Sequence, residues 1–95
     1  MPATVLSTIT ADQMLTLGKS VQSSAISSLA IVQGEMHGTY DLLVIFNSNP
    51  DKVYRYSFED DGAAQRWHEL LHDDEACSLT SWGSMLHRAL KHGDI

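Results

Sequence analysis

Apolar and polar positions along this chain change period several times, and each change predicts an element. Leu42–Phe46 is an unbroken apolar run, Asn47-Ser48-Asn49-Pro50-Asp51 is a cluster of turn formers, and Lys52–Phe58 alternates. That succession predicts two antiparallel strands joined by a five-residue loop. In the second strand Tyr54, Tyr56 and Phe58 share one face, with Val53, Arg55 and Ser57 on the other. The first is apolar on both faces, which predicts an interior strand covered on both sides. Upstream, Ala25–Gln33 reads as another strand, Gly34-Glu35 as a turn and Met36–Phe46 as the return, with Gly38 as a bulge. The three strands form an antiparallel meander with Leu42–Phe46 in the middle.

Helical periods flank this core. Thr10-Ala11-Asp12-Gln13 fits a capping box, and Met14, Leu17 and Val21 follow at i, i+3, i+7, predicting a short helix from Ala11 to Ser20. Before it, Ala3–Ile9 is rich in β-branched residues and predicts an edge strand or extended arm. Ser20–Ser24 reads as a connection. After the meander, Asp60 or Asp61 caps a helix whose apolar face carries Ala63, Ala64, Trp67, Leu70 and Leu71. Asp73-Asp74-Glu75 ends it. Ser78 or Thr80 caps the last helix, in which Trp82, Met85, Leu86, Ala89 and Leu90 keep the i, i+3, i+4, i+7, i+8 spacing and Gly93 suits the C-cap. The expected fold is a small α+β domain: a three-stranded antiparallel meander with two C-terminal helices, a short N-terminal helix and an N-terminal edge strand.

Charge narrows the partners. The net charge is −6 with His neutral, and the acids gather in Glu59-Asp60-Asp61 and Asp73-Asp74-Glu75. Lys19, Lys52, Arg55, Arg66, Arg88 and Lys91 are scattered, so no basic stripe of the kind nucleic-acid binders carry is visible in one dimension. Folding can still gather Lys52, Arg55 and Arg88 into one patch. No apolar run approaches a membrane span, the first ten residues lack a signal-peptide pattern, and Cys77 is the single cysteine. A reducing, cytoplasmic setting follows as the expectation.

Two constellations carry candidate chemistry. Tyr54 and Tyr56, with Lys52 and Arg55, could form a stacking platform for single-stranded RNA. The structural alternative is that both tyrosines sit in the core beneath the helices, and Phe58 on their face favours it. His68-Glu69-Leu70-Leu71-His72 matches H-E-x-x-H, in which two His hold zinc and the Glu acts as general base. Helical geometry centres the apolar face on Trp67 and spreads His68, Glu69 and His72 over the polar side, which argues for coincidence. Any metal contact would then be adventitious, through His68 and His72. Cys77 has no pattern of a nucleophile around it and reads as a structural thiol.

Ser23-Ser24-Ala25-Ile26, Leu42-x-Val44-x-Phe46, Tyr54-Arg55-Tyr56 and Ser81-Trp82-Gly83 with Met85-Leu86 follow one another in an order that resembles the KTSC domain, a module found at the C-terminus of some lysyl-tRNA synthetases and as small free-standing proteins. The family's Tyr-x-Tyr is matched by Tyr54 and Tyr56, and its Ser-x-Gly by Ser81 and Gly83. The likeness spans Val21 to His92, within a domain of residues 21–95 that follows an arm and short helix over residues 1–20. Ser57-Phe58-Glu59-Asp60 stands where the family carries Val-Pro. The resemblance implies a non-enzymatic interaction module, with RNA binding as the family's suggested activity. The expected reading is therefore a module acting through a protein partner without a cofactor. An RNA-binding module on Lys52, Tyr54, Arg55 and Tyr56 is the alternative, and a zinc hydrolase on His68, Glu69 and His72 a third. The Ala3–Ile9 arm offers a route to a homodimer by adding a strand to a neighbour's sheet.

Overall fold

The apolar run at Leu42–Phe46 becomes the middle of a sheet. In the computed structural model, residues 5–6, 10–34, 36 and 38–95 are described, the side chains of 5, 6, 11 and 15 excepted. The elements are β1 (Val5–Leu6), α1 (Ala11–Leu17), β2 (Lys19–Ser20), β3 (Ile26–Gln33), β4 (Tyr40–Phe46), β5 (Tyr54–Ser57), α2 (Asp61–His72), α3 (Asp74–Leu79) and α4 (Trp82–His92). The strands pair antiparallel in the order β1-β5-β4-β3-β2. The fold is α+β, and the predicted meander is its centre.

Side chains of β4 alternate between two separate cores. Leu42 and Val44 join Ile26, Leu29, Tyr56, Trp67, Trp82 and Leu86 under the C-terminal helices. Leu43 and Ile45 pack with Met14, Ala30 and Val53 on the opposite face, where α1 supplies the cover. Both faces of β4 are therefore dry, as its composition predicted. Burial of each such aliphatic side chain contributes about 1.5–3 kcal/mol.

The sheet has five strands: the predicted meander, the N-terminal edge strand expected within Ala3–Ile9, and β2, which the pattern did not predict. β2 is two residues long, too short for any period to be read. Val5 and Leu6 pair with Arg55 and Tyr54 of β5 in the same chain. The described part of the arm is thus an edge strand, as the pattern predicted, while residues 3, 4 and 7–9 lie outside the described residues. Gly38, expected as a bulge, sits in the β3–β4 turn at φ +83°. The register shift falls instead between Ile26 and Ser28.

The Thr10 capping box forms as predicted: Gln13 N–H donates to Thr10 Oγ1 at 3.2 Å, and Thr10 N–H to Gln13 Oε1 at 2.9 Å. Helix α1 ends at Leu17 rather than Ser20 because Gly18 turns extended, its N–H bonded to Met14 O at 3.0 Å. Gly18 also lies hard against β3. A Cβ there would collide with the Leu29 carbonyl oxygen and come within 2.7 Å of Ala30 Cβ. Gly18→Ala is therefore expected to destabilise the domain by about 1–3 kcal/mol, the scale of overpacking. Gly83→Ala is the control, since a Cβ there would meet Ala25 Cβ at an ordinary 3.5 Å. Thermal melts that rank the two variants the other way would refute the close approach at Gly18.

Three helices, not two, follow the meander. Asp73 ends α2 and then caps α3, its Oδ1 accepting from the N–H of Glu75 and of Ala76, both at 3.1 Å. Ser78 and Thr80 do not cap the last helix; their hydroxyls donate back to Glu75 O and Ala76 O within α3. Ser81 precedes α4 without a side-chain cap bond, and Gly93 ends it in the left-handed region, as predicted. Lys19 Nζ ties β2 to this corner, donating to Leu71 O at 3.0 Å and pairing with Asp74 at 2.9 Å. The Asp74 hydrogen bond raises the Lys19 pKa, and the same bond lowers that of Asp74. The carboxylate's contribution is present at neutral pH and fades as pH falls below the ordinary carboxylate range; the ammonium's is present too and fades only above the ordinary lysine value. The pair is exposed, so the contribution is small. No helix among the described residues is long and apolar enough to cross a membrane.

Candidate functional site

The residues singled out on β5 do not form one surface. Tyr56 is buried, 5 % exposed, in the helix-side core, and Tyr54 is half-buried against Phe46 with ring centroids 5.4 Å apart. Arg55 points to the other face, where its Nε donates to Asp41 Oδ2 at 2.6 Å. Asp41 is buried, and this pairing offsets the cost of taking its carboxylate out of water. Lys52 stands exposed in the turn before β5. A shared patch of Lys52, Arg55 and Arg88 does not form either: Arg55 is held by Asp41 on the α1 side, while Arg88 belongs to α4 on the opposite layer.

Along α2, His68, Glu69 and His72 are all exposed. The two imidazoles stack at 4.3 Å between centroids, and Gln65 Nε2 donates to Glu69 Oε1 at 3.4 Å. Among the described residues no three His, Cys, Asp or Glu side chains lie close enough to hold a metal ion. Catalytic zinc needs three protein ligands and an open fourth position. Purified protein is accordingly expected to hold well under one equivalent of zinc after dialysis, with His68→Ala leaving the melting temperature nearly unchanged. Stoichiometric zinc by atomic absorption, with peptidase activity abolished in Glu69→Gln, would sink this expectation.

A concavity lies elsewhere, at the outer end of the β3–β4 hairpin. A cleft of about 580 Å³ opens there between the sheet and α2. Ile31, Gln33 and Tyr40 form the sheet wall. Asp61, Ala64, Gln65 and His68 form the helix wall, at i, i+3, i+4 and i+7 on a single stripe of α2. The cross-strand register places Gln33 opposite Tyr40 and Ile31 opposite Leu42, so these three share the helix-covered face, while Val32, also in the lining, packs its side chain on the α1 side. Tyr40 is exposed, and so is Met36 in the turn. Sequence reasoning missed this site. The α2 stripe was readable beside the Trp67 stripe, but nothing in one dimension set it against the end of β3.

A smaller cleft of about 380 Å³ runs between α2 and α4, with Trp67 and Met85 among its lining and Arg66, Arg88 and Asp94 contributing charge. Near it the motif segments meet. Ser23 Oγ accepts from the N–H of Ala25 and Ile26, Asn47 Nδ2 donates to Ser23 O at 2.9 Å, and Gly83 packs against Ser23 and Ala25. Trp82 is fully buried, with Nε1–H donating to Cys77 O at 3.1 Å. These contacts are structural: they fasten the start of β3 to the start of α4. Comparison with known proteins gives no match, whether to a family model, a curated protein or a solved structure.

Proposed function

We propose that the chain is a small non-catalytic interaction module of KTSC type that acts through a protein partner in a reducing, cytoplasmic setting, without a cofactor. The observation that carries this reading is the cleft between the hairpin end and α2. Its walls mix apolar surface (Ile31, Ala64, the Tyr40 ring) with a few polar groups (Gln33, Asp61, Gln65, His68), the mixture expected of a recognition site. The titratable groups on α2 do not form a catalytic couple. Asp61 and His68 are separated by two helical turns, about 10 Å of rise, beyond the hydrogen-bond reach that proton transfer requires. Free Cys77 is buried and so suits a reducing compartment without supplying a nucleophile to the cleft.

Capture from native host lysate tests the reading. A protein retained by the wild type, surviving nuclease treatment and lost with the double variant Tyr40→Ala, Gln65→Ala at unchanged melting temperature is the expected result. Capture abolished by nuclease but indifferent to the cleft variant would put RNA in the partner's place.

A further inference from the structure

We propose that the occupant of this cleft is an extended, basic peptide segment of the partner, which adds to the outer edge of β3 as a further strand. The inference rests on the reading of the cleft as a binding site and names how that site is filled. Hydrogen-bond parity carries it. In an antiparallel pair, residues exchange bonds at alternate positions. Gly34 N–H donates to Thr39 O at 2.9 Å in the β3–β4 register, so the even positions of β3 turn their N–H and C=O towards β4. Odd positions turn the other way. Val21 N–H donates to Ser27 O at 3.0 Å, and Lys19 is opposite Leu29, so the outer edge is used at Ser27 and Leu29.

There the covering strand stops, because β2 is two residues long and Gly18 leads directly back into α1. Beyond Leu29, among the described residues, no segment pairs with the outer edge of β3. Ile31 and Gln33 thus direct N–H and C=O outward at the point where both line the cleft. A strand laid along this edge would alternate its side chains, and those opposite Ile31 and Gln33 would enter the space between Tyr40 and α2.

Charge selects the occupant. Asp61 lines the cleft, Glu59 and Asp60 immediately precede it, and no Lys or Arg is in the lining. A second copy of this chain would bring the same acids and a charge of −6 to the same edge. A segment alternating Lys or Arg with β-branched residues would send its cations into the cleft near Asp61 and turn its β-branched side chains to the opposite face of the sheet.

The probe is an acetylated, amidated Lys-Val-Lys-Val-Lys peptide, with Glu-Val-Glu-Val-Glu as comparison, titrated into the full chain labelled with ¹⁵N. The basic peptide is expected to shift the Gln33, Tyr40, Gln65 and His68 signals and to slow hydrogen exchange at the Ile31 and Gln33 amides, leaving Ala30 and Val32 unaffected. Gln33→Pro removes an outward N–H that no described strand uses, so it should weaken binding at least about tenfold with little change in melting temperature. Asp61→Asn should weaken binding and flatten its salt dependence. Binding in the cleft without protection of Ile31 and Gln33 would overturn strand addition while leaving the cleft as a binding site. No binding of the basic peptide at millimolar concentration, or preference for the acidic one, overturns the proposal. A concentration-dependent dimer with Ile31 and Gln33 protected in the absence of peptide would assign the edge to a second copy. Partner capture indifferent to Tyr40→Ala, Gln65→Ala would remove the cleft reading itself.

Discussion

Val44→Asp is expected to leave the chain unfolded under native conditions. Val44 has no exposed surface and lies in the central strand between Leu29 of β3 and Tyr54 of β5. Its side chain enters the helix-side core, where Trp67, Trp82 and Leu86 offer no polar partner to a carboxylate. Rotation to the other face gives no relief, because a one-residue slip would bury Leu43 and Ile45 against the wrong layer. An unpaired charge at such a site costs several kcal/mol. A domain of this size has a total stability on the order of 5–15 kcal/mol, so one such substitution consumes much or all of it. Far-UV circular dichroism should show lost structure, or a melting temperature lowered by tens of degrees. Asn49→Asp, in the exposed turn after β4, should be nearly neutral. A Val44→Asp protein that melts with the wild type would mean that β4 is not the buried centre of the sheet.

Legibility in the sequence followed the range of the interaction concerned. The Thr10–Gln13 box, the period of α4 and the Gly93 cap are set by residues within two turns of one another, and all form as the pattern predicts. The two-sided burial of β4 was also readable, since an apolar run without alternation has no face to give to water. The pairings between distant segments were not. Asp41 and Arg55 are diagonal neighbours across β4 and β5, which depends on a register that neither residue announces. The same holds for Lys19 with Asp74, and for the cleft, whose walls come from β3, the hairpin turn and α2. Helix α3 was missed for another reason. Asp73 both terminates one helix and caps the next, and its sequence signal is the same for either role.

The Tyr-x-Tyr pair yields the second large effect, and its two halves should separate. Tyr56 is buried opposite Leu42 in the middle of the sheet, whereas Tyr54 is half-buried beside Phe46 towards the loop end. Truncating a buried aromatic to Ala typically costs about 3–5 kcal/mol through lost transfer energy and the cavity left behind. Tyr56→Ala should fall in that range, enough to bring the domain near its unfolding threshold at 37 °C. Tyr54→Ala loses less buried area and one edge-to-face ring contact, so a smaller cost of about 1–3 kcal/mol is expected. The pair also tests RNA binding, since a stacking platform needs rings that bases can reach. Tyr56 offers no such face, Arg55 is engaged by Asp41 on the opposite side of the sheet, and a chain at −6 repels a polyanion. Fluorescence anisotropy with mixed-sequence single-stranded RNA should therefore show no appreciable binding at physiological salt, for the wild type or for Tyr54→Ala. Micromolar binding by the wild type that disappears in Tyr54→Ala, with the loss of stability too small to account for it, would transfer the functional surface from the hairpin cleft to β5.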